Sequence, residues 1–214
     1  LIMGQMGTHA AAPSLYASLK YDPVGDFTPV GIAGITPILV VAKKDFPAAN
    51  LGELIAHVKA NAGTVNQANA GVGSTSFTTC VLFKAIAGIP KINEVAYKGT
   101  CPALNDLVAG QVDFMCDQIT NLAPQIQSGN VKGLAIATPE RSPALPDVPT
   151  TKEAGLPEFQ VSAWNALFAP KGTPKDAVDK LAAALDKALD DAGTRKRLSD
   201  LGSVLPDKAG RTPA

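Results

Sequence analysis

Asn69-Ala70-Gly71-Val72-Gly73-Ser74-Thr75-Ser76 joins a strand to a helix and is the first place to look for function. Before it, Thr64 to Ala68 reads as a short strand; after it, a helical pattern begins near Phe77. Two glycines let the backbone turn tightly and approach a ligand closely. Three hydroxyls then fall where a helix should start. A helix start offers free N–H groups and a partial positive charge, so it suits an anion. Ser74, Thr75 and Ser76 can cap the helix, bind a ligand, or do both. A capped turn that binds nothing fits the same residues, and both readings stay open at this point.

The same order recurs on either side. Leu1 to Gly7 reads as a strand and turn, with Thr8 placed to cap a helix from His9 to about Ser18. Val30 to Ala33 and Ile38 to Ala42 read as two buried strands. Leu51, Leu54, Ile55 and Val58 share one helix face behind the N-cap Asn50. Downstream, Ile92 to Tyr97 is a strand, and Lys98 to Pro102 is a second strand-to-helix turn with Thr100 at N-cap. Val112 to Cys116 is a strand ending at Asp117-Gln118, followed by a helix from Leu122 to Gln127 and a strand from Leu134 to Ala137. The Pro-rich run Thr138 to Gly155 reads as a loop with a short helix near Lys152. Phe159 to Phe168 is apolar around Trp164; Val178, Leu181, Leu185 and Leu189 mark a strong helix, which Thr194 to Leu201 extends or follows as a second one. Strands alternating with helices predict an α/β fold with largely parallel strands. Ligands then bind at the carboxyl ends of strands. Gly7-Thr8, Gly71 to Ser76, Lys98 to Cys101 and Asp117-Gln118 could all occupy that edge.

Composition narrows the chemistry. The 214 residues allow one large domain or two lobes, and the 19 Lys and Arg balance the 19 Asp and Glu. No basic field exists to hold nucleic acid, and no apolar segment is long enough to cross a bilayer. Leu1 to Gly4 looks like the second half of a buried strand, so the chain is expected to be an N-terminally truncated piece of a longer protein. The three cysteines, Cys80, Cys101 and Cys116, have no metal-binding spacing, and no metal or cofactor is expected. The focal loop lacks the lysine of a phosphate loop, the final glycine of a dinucleotide loop and the frame of a serine nucleophile elbow. Cys101, in a first helical turn three residues from Lys98, is the sharpest catalytic suspect. It supports an alternative reading as a thiol-dependent hydrolase or transferase. Asp117 reads equally as a helix cap or as an acceptor for ligand and water.

Several segments, in order, resemble one family. They are Tyr21-Asp22-Pro23 with Asp26-Phe27-Thr28-Pro29-Val30; Gly73-Ser74; Tyr97-Lys98-Gly99 with Pro102-Ala103 and Asp106; and Gly110-Gln111-Val112-Asp113. Leu145 to Thr150 with Glu153-Ala154-Gly155, then Trp164 and Ala169 to Pro174, complete the set. The chain resembles the Bug-type solute-binding proteins of tripartite tricarboxylate transporters. The resemblance implies a two-lobed, periplasmic-binding-protein type II-like fold lacking the first βα segment of lobe 1. It implies lobe 1 over residues 1–40 and 166–214 and lobe 2 over 41–165. A small di- or tricarboxylate, amino acid or aromatic acid would be captured in the cleft between lobes, without catalysis. The chain would be a periplasmic monomer that delivers its ligand to the membrane subunits of the transporter.

By the same resemblance, Gly73, Ser74 and Thr75, with Asp117 nearby, would hold the carboxylate from one lobe, and Gly7 and Thr8 from the other. Cys101 stands where the family has a small residue. A periplasmic location permits a disulfide, and the expectation is a Cys80–Cys116 bridge with Cys101 free. The second choice is Cys101 with Cys116.

Overall fold

A computed structural model describes residues 1–211. The final positions of the last expected segment, 212–214, lie outside the described residues. The described chain divides into two compact units, Leu1–Thr36 with Ala163–Ala214 and Pro37–Ser162.

Unit 1 begins with β1 (Ile2–Gln5), a π-helical turn (Met6–Ala11) and the short α1 (Ala12–Leu15). The expected helix to Ser18 stops at Leu15, because Tyr16 is already extended. The first part of β2 (Phe27–Lys43) follows. The chain returns as β7 (Ser162–Pro170), α6 (Lys175–Asp190) and α7 (Ala192–Asp200). β1 runs antiparallel to β7, pairing Ile2 with Phe168 and Gln5 with Asn165. Val30, Ala169 and Val178 form a small core with Leu181 packed on it. The polar segment after α7 is pinned rather than loose. Val204 bridges Ile35, and the Arg211 carbonyl accepts the Ile32 N–H at 3.3 Å. The Arg211 guanidinium donates to Asp186 at 2.7 Å and Asp190 at 2.8 Å.

Unit 2 carries the remainder of β2, then α2 (Leu51–Ala60), β3 (Asn66–Asn69), α3 (Thr75–Ala87), β4 (Asn93–Ala96) and α4 (Thr100–Val108). β5 (Phe114–Gln118), α5 (Ile119–Gln127) and β6 (Val131–Ile136) complete it. The stretch near Lys152 forms turns, not the expected helix. β3 is parallel to both β4 and β5, while β2 lies antiparallel between β5 and β6. The α/β reading therefore holds, but among the described residues parallel pairing joins β3, β4 and β5 alone of the strands, with one isolated parallel bridge from Ile136 to Thr150. The expected pair of strands over Val30–Ala42 is a single long strand, β2, whose two ends serve different units.

Residues alternate between the faces of β5, as side chains on a strand must. Met115 joins Leu39, Ala68, Leu107, Ile119 and Leu122 on one face. Phe114 meets Phe83 of α3 edge-on at 6.3 Å, and Phe83 meets Phe159 at 5.4 Å. Each such buried Leu, Ile or Phe contributes about 1.5–3 kcal/mol.

The expected Cys80–Cys116 disulfide is absent. All three cysteines are free thiols, Cys80 and Cys116 buried and Cys101 exposed. The Cys80 sulfur instead accepts the backbone N–H of Cys116 at 3.0 Å, which joins α3 to β5 by a hydrogen bond. The second choice fails as well, since Cys101 lies exposed in the first turn of α4 while Cys116 is fully buried.

Candidate functional site

The loop from β3 to α3 is fixed by its own polar groups. Asn69 at the strand end accepts the Gly71 N–H on its side chain at 2.9 Å. The Ser74 N–H donates to the Gly71 carbonyl at 3.1 Å, closing a tight turn around Val72 and Gly73. Gly71 and Gly73 sit at φ 101° and 84°, in the region that favours glycine. A Cβ on Gly71 would lie 2.9 Å from the Tyr97 carbonyl oxygen, so the close approach of two chains also demands glycine there. Ser74 caps α3, its hydroxyl accepting the Phe77 N–H at 3.0 Å. The three hydroxyls then diverge in role. Ser74 is half-buried, whereas Thr75 and Ser76 are buried. Ser76 donates to the Cys116 carbonyl at 2.7 Å and ties the first turn of α3 to β5.

Parallel pairing of β3, β4 and β5 sends all three strands to the same edge, where α3, α4 and α5 begin. α4 follows Gly99 and α5 follows Gln118, and neither residue makes a side-chain cap bond. Their leading N–H groups, with the dipoles behind them, form an edge suited to anions. Lys98 is exposed beside it. Asp117 stands at this edge but is 1% exposed. Its carboxylate accepts the Thr100 hydroxyl at 2.6 Å and the Gln118 N–H at 2.7 Å. Burial raises its pKa, opposed by the hydrogen bonds from Thr100, Gln118 and Asn121.

Gly7 and Thr8 belong to unit 1, in the π-helical turn; π turns are frequent at functional sites. Gly7 is buried and Thr8 exposed. The Thr8 hydroxyl accepts the Gln5 N–H at 3.1 Å and lies 2.9 Å from His9 Nδ1, while Tyr21 donates to the Thr8 carbonyl at 2.7 Å. The His9 ring stacks on Phe168 at 4.3 Å.

Residues 1–207 match the family model described as the tripartite tricarboxylate transporter family receptor, TctC. The chain belongs to the TctC family. It is similar to MatC (Rpa3494) from Rhodopseudomonas palustris with bound malate, at 47% identity and TM-score 0.92, covering 99% of this chain and 71% of that one. It is similar to R. palustris Rpa4515 with adipate, at 31% identity and TM-score 0.88, covering 94% and 67%. A UPF0065 protein from the TAR-I ttuE-ttuC' intergenic region of Agrobacterium vitis is 42% identical over 205 residues, 96% of this chain. The chain spans 59% of that relative's length.

Within this TctC-family chain, unit 2 brings Gly73, Ser74, Thr75 and Asp117 to one sheet edge, and Gly7 and Thr8 lie in unit 1. Two contributors escape a reading of the sequence. Thr100 looks like the cap of α4, yet Gly99 takes that place and Thr100 bonds Asp117, a partner 17 positions away. Asn69 carries a local signal, an Asn two residues before a glycine turn, that would have found it. Cys101 is exposed at the second position of α4. Among the described residues no group of three His, Cys, Asp or Glu side chains could hold a metal ion, and no helix is long and apolar enough to cross a membrane.

Proposed function

We propose that the chain is the solute-capturing part of a TctC-family receptor for a small dicarboxylate. The observation that carries this reading is the gathering of three helix N-termini at one edge of unit 2, two of them without a side-chain cap. Backbone N–H groups at such ends bind a carboxylate without a lysine or arginine. In this reading the N–H of Gly73 and the Ser74 hydroxyl, with Thr75 beside them, hold one carboxylate. Thr8 and the backbone of Gly7 are unit 1's candidates for solute contact. The malate and adipate of the two similar structures share the dicarboxylate chemistry and differ in chain length, which supports the class. The solute is released unchanged. The proposed location is the periplasm, the partners are the membrane subunits of a tripartite tricarboxylate transporter, and the receptor works as a monomer.

Titration calorimetry and thermal unfolding with malate and adipate test this. A binding solute raises Tm by mass action, about 2.7 kcal/mol of stabilisation at a hundredfold excess over Kd. The diamide of malic acid, which lacks both charges, should give no shift. Absence of heat and of Tm change with both diacids at millimolar concentration would overturn the reading. So would conversion of the solute, followed by proton NMR.

A further inference from the structure

One buried carboxylate ties together three element ends of unit 2. Asp117 is the next-to-last residue of β5. Thr100, which donates to it at 2.6 Å, is the first residue of α4. Gln118, whose N–H donates at 2.7 Å, immediately precedes α5, and Asn121, whose side chain is near enough to lower the carboxyl pKa, lies in the first turn of α5. Every partner of the carboxylate is a donor. A second carboxylate reaching this edge would be repelled by an exposed aspartate, yet this one is turned inward with its lone pairs engaged. The same bonds fix the first turns of two helices that have no cap of their own.

We propose that Asp117 is a positioning residue for solute binding. It locks the first turns of α4 and α5 against the end of β5, so that their N–H groups face the edge beside the Gly71–Ser74 turn. It does not touch the solute. The solute in this statement rests on the dicarboxylate reading above; the locking of the two helices does not, and the test separates them.

Hydrogen exchange on the solute-free protein reads the lock directly. Asp117→Ala and Thr100→Val should each lower protection about tenfold or more in peptides covering residues 103–107 and 122–126, the first hydrogen-bonded amides of α4 and α5, by local opening. Protection in β3 and α6 should stay within about threefold, which separates a local lock from a global loss of stability. Asp117→Asn retains one acceptor oxygen and should recover most of the protection. For malate, Asp117→Ala and Thr100→Val should raise Kd about tenfold, and Asp117→Asn about threefold or less. Unchanged protection in Asp117→Ala overturns the proposal. Loss of malate binding in Asp117→Asn equal to that in Asp117→Ala, with protection intact in Asp117→Asn, also overturns it, because the carboxylate would then be a solute contact. Should Asp117→Ala fail to fold, Thr100→Val and Asp117→Asn carry the same comparison. Should the unaltered protein bind no malate, the function fails, and exchange alone decides the positioning.

Discussion

The Ser74 hydroxyl has a structural task as the cap of α3 beside the one proposed for it in solute binding. Its oxygen accepts the Phe77 N–H, so Ser74→Ala should cost about 1 kcal/mol in urea unfolding, the usual loss for an N-cap. Ser74→Asp separates the tasks. An aspartate caps a helix as well as serine does, so stability should hold, but its charge should abolish malate binding. Retained affinity in Ser74→Asp would remove this turn from the solute site. Thr75→Ala is a poorer probe of binding, because the side chain is buried and the change also alters packing. Gly71→Ala meets both a φ of 101° and the Tyr97 carbonyl oxygen, and should destabilise by about 1–3 kcal/mol. His9 gives a pH dependence. Thr8 Oγ1 accepts the Gln5 N–H and can donate to the Gln5 carbonyl at 3.2 Å, so the imidazole satisfies the network by donating from Nδ1. Nε2 is then left buried without a partner. Protonation would place an N–H there among Tyr21, Phe27 and Phe168 with no acceptor, and burial accordingly lowers the pKa from 6.5. The unfolded chain therefore takes up this proton first as pH falls. The stabilisation is complete above 6.5 and is lost as pH drops toward the folded value. Urea midpoints at pH 7.5 and 5 should differ more for the unaltered protein than for His9→Phe; equal differences would refute it.

At the scale of elements, the end of β4 is tied to α4 by Tyr97, whose hydroxyl donates to Asp106 at 2.6 Å. Burial and the adjacent carboxylate raise its pKa to about 12. A raised pKa contributes stability that is present below the unfolded value near 10 and lost as pH rises through about 12. Tyr97→Phe should lower stability at pH 8 by about 1 kcal/mol and reduce the alkaline loss of stability. An unchanged alkaline limb would remove Tyr97 as its cause. The seam between α3 and β5 yields a thiol count. Cys80 and Cys116 are 0% exposed, so an aromatic disulfide reagent should titrate Cys101 alone in the native protein and all three thiols in guanidinium. These elements show what the sequence could and could not reveal. Helix starts at Asn50 and Ser74 were legible because a cap acts within three residues. The α/β order was legible because hydrophobic period and glycine turns are local signals. The link from Thr100 to Asp117, and the hydrogen bond that replaces the expected disulfide between Cys80 and Cys116, were not legible. Both depend on strand register, which brings distant positions together without a local mark.

For the whole molecule, β2 was the hardest element to read. Gly34 and Pro37 punctuate it like strand ends, yet it continues from Phe27 to Lys43 through the boundary between the two units. Gly31 reflects a tertiary demand, since a Cβ there would collide with the Arg211 carbonyl oxygen. Charge, in contrast, is legible from composition alone. Equal numbers of acidic and basic residues, 19 of each, give no net charge to draw in a dianion from a distance. The attraction proposed for the sheet edge comes from backbone dipoles that act within about one helical turn. The association rate for malate should therefore respond weakly to salt. Between 0.02 M and 0.5 M sodium chloride the Debye length shrinks from about 20 Å to about 4 Å, which suppresses long-range steering but leaves contact-range dipoles nearly intact. Stopped-flow fluorescence of Trp164, the single tryptophan, should show a rate change below about threefold over that range. A drop of about tenfold or more would place a concentrated basic field, not helix ends, at the point of solute entry. In that case exposed Lys98, beside the start of α4, is the side chain to replace first: Lys98→Gln should abolish the salt dependence if its charge supplies the field.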